Sequence, residues 1–164
     1  MRFRRNSMTD RICLIAMIAA VYTALTLIFG AISFGPIQLR VSEAMTILPI
    51  LFPEAIPGLT LGCFLSNLFN PFGTTVYDLL FGTMATLAAS VLTYLTRKKW
   101  WLAVLFPILI NALVVGAILT YGYGINLFWV NVFTVGVGEM ISCCGLGYVL
   151  LRGLKHWYTE KKEN

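Results

Sequence analysis

The chain has 164 residues, of which 59% are hydrophobic and only 12% charged. That balance excludes a soluble globular domain, because a soluble surface needs roughly a quarter charged residues to stay solvated. The net charge of +5 does not signal nucleic acid as a partner, since the basic residues fall in three short clusters beside apolar runs, the pattern that orients a membrane protein.

Arg2, Arg4, Arg5 and Arg11 precede the apolar run 12–30. That run exceeds the ~7–15 residues of a signal-peptide core, so it reads as a retained transmembrane helix. The stretch 31–75 is broken by Gly35-Pro36, Pro53, Pro57 and Asn70-Pro71. Two apolar pieces between these breaks, 39–52 and 58–69, predict short helices joined by a tight turn. Runs 76–96, 100–121 and 126–151 follow, each near the ~20 residues that cross about 30 Å of hydrocarbon. The other basic clusters are Arg97-Lys98-Lys99 and a tail with Arg152, Lys155, Lys161 and Lys162. Placing all three clusters in the cytoplasm requires an even number of crossings from 12 to 96, and again from 100 to 151. Six transmembrane helices with both termini cytoplasmic satisfy this. A re-entrant hairpin over 39–69 keeps the same parity. The expected fold is therefore an all-α, multi-pass membrane domain covering 1–164, in the cell membrane.

A charge within hydrocarbon is costly and marks function by default. On this topology Arg40 and Glu43 lie at the outer end of the second helix, and Glu54 at a cytoplasmic turn. Asn67 closes the third helix at the outer face, Tyr77 and Asp78 open the fourth, and Trp129 and Asn131 begin the sixth. Asn111 and Glu139 lie deeper. Asn131, Val135 and Glu139 are spaced i, i+4, i+8 and share one helix face; Asp78, Gly82 and Thr86 repeat the spacing. These polar groups form a cup open to the outside, suited to a flat polar small molecule. Carboxylates and amides pair with ring N–H and amino groups, while tyrosine and tryptophan stack on the ring. Glu139 is expected to take the donor edge of such a molecule through both oxygens, with Glu43 meeting another group nearer the mouth.

Ala16, Ala20 and Ala24 form a row of small residues on the first helix, and Gly58, Gly62 and Ser66 form one on the third. Such rows let helices approach closely, and one of them suits a partner protein. Cys13, Cys63, Cys143 and Cys144 lie in apolar runs without metal-ligand spacing and read as buried small hydrophobes. No metal or cofactor is expected. The apolar runs hold no histidine and a single aspartate, Asp78, which leaves an intramembrane enzyme without a catalytic set. No GxxxxGK[ST] phosphate loop occurs, so an uptake system would take its energy from partner subunits or a gradient.

The segments "LRVSEAMTILPILFPEAIPGLTLGC", "DLLFGTMATLAASVLTYLTRK", "PILINALVVGAILTY" and "FWVNVFTVGVGEMI" together resemble the queuosine-precursor transporter family of the QueT type, over roughly 12–152. The resemblance implies a substrate-binding S component of an energy-coupling factor (ECF) importer, itself no enzyme, that captures a 7-deazaguanine-type precursor from outside. It implies association with a transmembrane coupling protein and two cytoplasmic ATPases, docked through small residues on the first helix, here Ala16, Ala20 and Ala24. The family's motif positions correspond to Arg40, Glu43, Asp78, Asn111, Asn131 and Glu139. The alternatives are a carrier for another heterocyclic vitamin-like compound and a non-transporting membrane assembly protein.

Overall fold

Ser7 starts the first helix by adopting extended backbone and accepting the Thr9 amide proton at 3.2 Å. Its hydroxyl satisfies one of the amides that a helix start leaves unpaired, and Asp10 complements the positive end of the dipole. A computed structural model describes residues 7–34, 39–71, 73, 75–125 and 127–163, with side chains to 156. Arg2, Arg4, Arg5, Gly35 and Pro36 lie outside the described residues, as do the side chains of Lys161 and Lys162.

The described residues are helical and contain no strand. Helix α1 spans Met8–Ile28 and is extended by the short turn α2, Gly30–Ser33. A 3₁₀ helix follows over Val41–Ile50 and α3 over Ala55–Leu68. Then come α4 (Asp78–Leu95), α5 (Trp100–Gly122) and α6 (Phe128–His156). With 21, 18, 23 and 29 residues, α1, α4, α5 and α6 are long and apolar enough to cross a membrane. Leu105, Leu109 and Leu113 mark an exposed apolar stripe at i, i+4, i+8 along α5. Such a stripe is a liability in water and an ordinary surface in lipid.

The segment 39–52, expected as an ordinary membrane helix, is instead a ten-residue 3₁₀ helix with Pro49 inside it. The tighter winding rises about 2.0 Å per residue, so these ten residues reach about 20 Å where an α-helix would reach about 15 Å. Residues 42–49 are all buried, because the segment packs against α1, α3, α4, α5 and α6. It is the central rod of the bundle. At its far end Glu54 meets Arg11 at 3.8 Å, which puts the start of α1 and the turn before α3 at one end of the molecule.

The two rows of small residues have different fates. A Cβ at Gly62 would stand 2.8 Å from the Tyr22 Cβ, and one at Gly58 2.9 Å from Ile18. The glycine row of α3 is therefore the contact with α1, reaching its Ile18–Tyr22 face. Ala16, Ala20 and Ala24 lie on the other side of α1 and are exposed. The cysteines also divide. Cys63 and Cys143 are buried, whereas Cys13 and Cys144 are exposed on the outer surface. The expectation of four buried thiols is corrected for those two, which lie on helix faces that no other helix covers.

Candidate functional site

Five helical elements bring polar side chains to one place in the core. Arg40 and Glu43 come from the start of the 3₁₀ helix, Tyr22 from α1, Asn67 from α3, Asn111 from α5 and Glu139 from α6. Glu43 and Asn67 are each 1% exposed, Asn111 and Glu139 3%, and Arg40 8%. The Tyr22 hydroxyl donates to Glu43 Oε1. Asn111 Nδ2 donates to Glu139 Oε1 at 3.2 Å. Arg40 Nη2 donates to Asn67 Oδ1 at 3.0 Å, and the guanidinium lies 5.2 Å from the centroid of the Phe34 ring. Asn67 Nδ2 in turn donates to the Asp78 carbonyl at 3.1 Å.

Two further side chains hold the acids in place. Thr46, one 3₁₀ turn after Glu43, donates to the Glu43 carbonyl at 2.6 Å. Cys143, one α-turn after Glu139, approaches the Glu43 carbonyl at 3.5 Å and Glu139 Oε2 at 3.6 Å. A wider π turn over Ile141–Leu146 begins just beyond Glu139; such turns recur at functional sites. Sequence reasoning missed Tyr22, Thr46 and Cys143. The available signal was a tyrosine and a threonine, Tyr22 and Thr26, one turn apart in an otherwise apolar helix; nothing marked Cys143.

Two buried atoms have no hydrogen-bond partner among the described residues of this cluster, Arg40 Nε and Glu43 Oε2. Native proteins rarely leave such groups unmet, because each costs about 1–3 kcal/mol, and more when charged. A small polar molecule with one acceptor and one donor would satisfy both.

The remaining residues expected in the cup lie elsewhere. The Asp78 carboxylate accepts from the Thr75 amide at 3.2 Å, from the Thr75 hydroxyl at 2.8 Å and from the Tyr123 hydroxyl. It ties the start of α4 to the connection between α5 and α6. Burial, followed by the bond to Asp78, pushes the Tyr123 phenol above the usual tyrosine range. Asn131 is buried but directs its amide to Thr120 Oγ1 at 2.8 Å and to the Ile125 carbonyl at 2.5 Å, pinning that connection from inside. Tyr77 lines a separate apolar groove of about 470 Å³ with Phe81, Leu113, Val114 and Tyr121. Trp129 is 73% exposed and packs edge-on against Phe128. Asp78, Asn131, Tyr77 and Trp129 thus lie around one end of the bundle, while Arg40, Glu43, Asn67, Asn111 and Glu139 form its buried polar centre. Among the described residues no group of three histidine, cysteine or acidic side chains is placed to hold a metal ion.

Residues 12–156 match the model of the family described as QueT transporter. Over 85 residues the chain is 39% identical to the queuosine precursor transporter QueT of Lactococcus lactis subsp. cremoris. That alignment covers 51% of this chain and 48% of the relative, so the match spans about half the length of the curated protein. No solved structure matches the chain.

Proposed function

The chain belongs to the QueT transporter family, a multi-pass membrane protein, and from that premise we propose that it is the substrate-binding S component of an ECF-type importer. It captures a queuosine precursor of the 7-deazaguanine class from outside the cell. The observation that carries this reading is the buried centre, where Arg40, Glu43, Asn111 and Glu139 converge from three elements. Charges at this depth are expensive and mark a ligand path or site. Their chemistry suits a base-like heterocycle, with carboxylates for its N–H groups and a guanidinium for its carbonyl. Tyr77, Asp78, Trp129 and Asn131 form the mouth, with the aromatic side chains available for stacking.

On this reading the chain passes the membrane six times with both termini in the cytoplasm. The 3₁₀ helix and α3 form the second and third passes, each about 20 Å long. The pairing of Arg11 with Glu54 supports it, since both then lie at the cytoplasmic end. Transport energy comes from two cytoplasmic ATPases joined through a transmembrane coupling protein. Ala16, Ala20 and Ala24 face outward from α1, as a close-approach docking surface requires. The chain itself catalyses no reaction.

Calorimetric titration of the purified chain with 7-deazaguanine-type precursors tests the reading. Saturable binding to one site per chain, matched by uptake only when the coupling protein and ATPases are present, is the expected result. Absence of binding by every such base overturns it.

A further inference from the structure

Arg40 and Glu43 are three residues apart at the entry to the 3₁₀ helix, where the Glu43 amide donates to the Arg40 carbonyl at 3.1 Å. Arg40 precedes the helix and caps it in extended backbone, at φ −90° and ψ 104°, so the helical repeat does not set the direction of its side chain. Guanidinium and carboxylate nevertheless both point into the buried cluster, where Arg40 meets Asn67 and Glu43 meets Tyr22. Both side chains are more than nine-tenths buried.

Each is held by neighbours that occupy only part of it. Asn67 engages Arg40 Nη2, and Phe34 covers a face of the guanidinium. Tyr22 engages Glu43 Oε1, and Thr46 fixes the Glu43 backbone. Among the described residues one donor, Arg40 Nε–H, and one acceptor, Glu43 Oε2, are buried and unmet. Neither bonds to the other.

We propose that this donor–acceptor pair reads a lactam edge, a ring carbonyl beside a ring N–H, and that the 3₁₀ helix is the specificity element of the site. The carbonyl oxygen accepts from Arg40 Nε, and the adjacent N–H donates to Glu43 Oε2. Tyr22 and Asn67 are positioning residues that leave one free atom on each partner. Glu139, engaged through Oε1 by Asn111, takes the exocyclic amino group with its other oxygen. This inference rests on the proposed capture of a heterocycle and adds which edge is recognised and by which atoms.

The test compares two bases by calorimetry on the purified full chain. One is 7-deazaguanine, which carries the lactam; the other is 2-amino-7-deazapurine, which lacks both the carbonyl oxygen and the ring proton. A site whose buried polar groups go unmet rejects the wrong base strongly, so the parent is expected to prefer the lactam by at least about hundredfold. Arg40→Met and Glu43→Gln should each shrink that preference by at least about tenfold, because each removes one of the two contacts. A parent that binds both bases within about threefold overturns the inference without recourse to any variant. Variants that weaken both bases equally, with the preference intact, overturn it as well. Binding of neither base by the parent sinks the heterocycle reading itself, a result distinct from lost discrimination.

Discussion

Tyr22 on α1 and Glu43 on the 3₁₀ helix are joined by a buried hydrogen bond from the phenol to the carboxylate. The bond is the polar link between the helix proposed to dock the coupling protein and the acid proposed to meet the ligand. Tyr22→Phe keeps the ring and removes the donor, leaving Glu43 Oε1 unmet at a cost of about 1–3 kcal/mol. A thermal transition lowered by several degrees and an affinity loss of about fivefold to tenfold are expected from unfolding and calorimetry. An unchanged transition and affinity would mean that the bond positions nothing.

Gly62 lies where a Cβ would be 2.8 Å from the Tyr22 Cβ and 3.0 Å from the Ala19 carbonyl. Neither neighbour is the free end of a flexible side chain, so α1 and α3 must separate to admit even alanine. Gly62→Ala is expected to destabilise the chain by about 1–3 kcal/mol, the range for overpacking a tight contact. Measurement of the thermal transition with and without ligand checks it.

Glu139→Gln preserves volume and keeps an oxygen for the Asn111 amide, but replaces an acceptor facing the ligand's amino group with a donor. Affinity for 7-deazaguanine is expected to fall at least about tenfold, roughly 1.4 kcal/mol. Affinity for a base lacking that amino group should change little. Glu54→Gln, at the turn beside Arg11, is the control and should leave both affinities as they are. Parent-like affinity of Glu139→Gln for 7-deazaguanine would remove Glu139 from the site.

Ala20 and Ala24 are exposed on the side of α1 away from α3. Replacing either with tryptophan should abolish uptake and copurification with the coupling protein while leaving calorimetric affinity within about twofold, because close helix approach is lost but the cup is not. Normal assembly and uptake by both variants would place the docking surface elsewhere.

Tyr123 is held above the usual tyrosine range by burial and by Asp78. A raised value in the folded state means that the folded chain holds this proton more tightly than the unfolded chain. The associated stability is fully present below the unfolded value near pH 10 and is lost as pH rises through the folded value. The phenol therefore donates to Asp78 throughout the physiological range. Alkaline absorbance titration should show that Tyr123→Phe loses a late-titrating tyrosine that the parent has. Identical titration curves, apart from amplitude, would refute this.

The apolar runs determined that this is an all-helical membrane protein, and the prolines marked where the chain breaks between its first and fourth apolar segments. Periodicity alone also put Asn131, Val135 and Glu139 on one buried face, because a fixed 3.6-residue repeat is a local property. Arg40 and Glu43 were conspicuous for the same reason: charges in apolar runs stand out without any structure. The winding of 41–50 was not legible. Residues 41–50 wind as a 3₁₀ helix packed against five other helices, and Arg40 enters it in extended backbone; neither feature is written in a local repeat. Nor could sequence tell which row of small residues packs inside and which faces out, since both have the same spacing; the fit of Gly62 against Tyr22 settles it. Tyr22 and Cys143 looked like ordinary apolar-helix residues until α1 and α6 were folded against Glu43. Asp78 and Asn131 bond to Tyr123 and Thr120, partners that nothing in the sequence marked. A polar side chain's role depends on which partner reaches it first, and partners distant along the chain are set by packing.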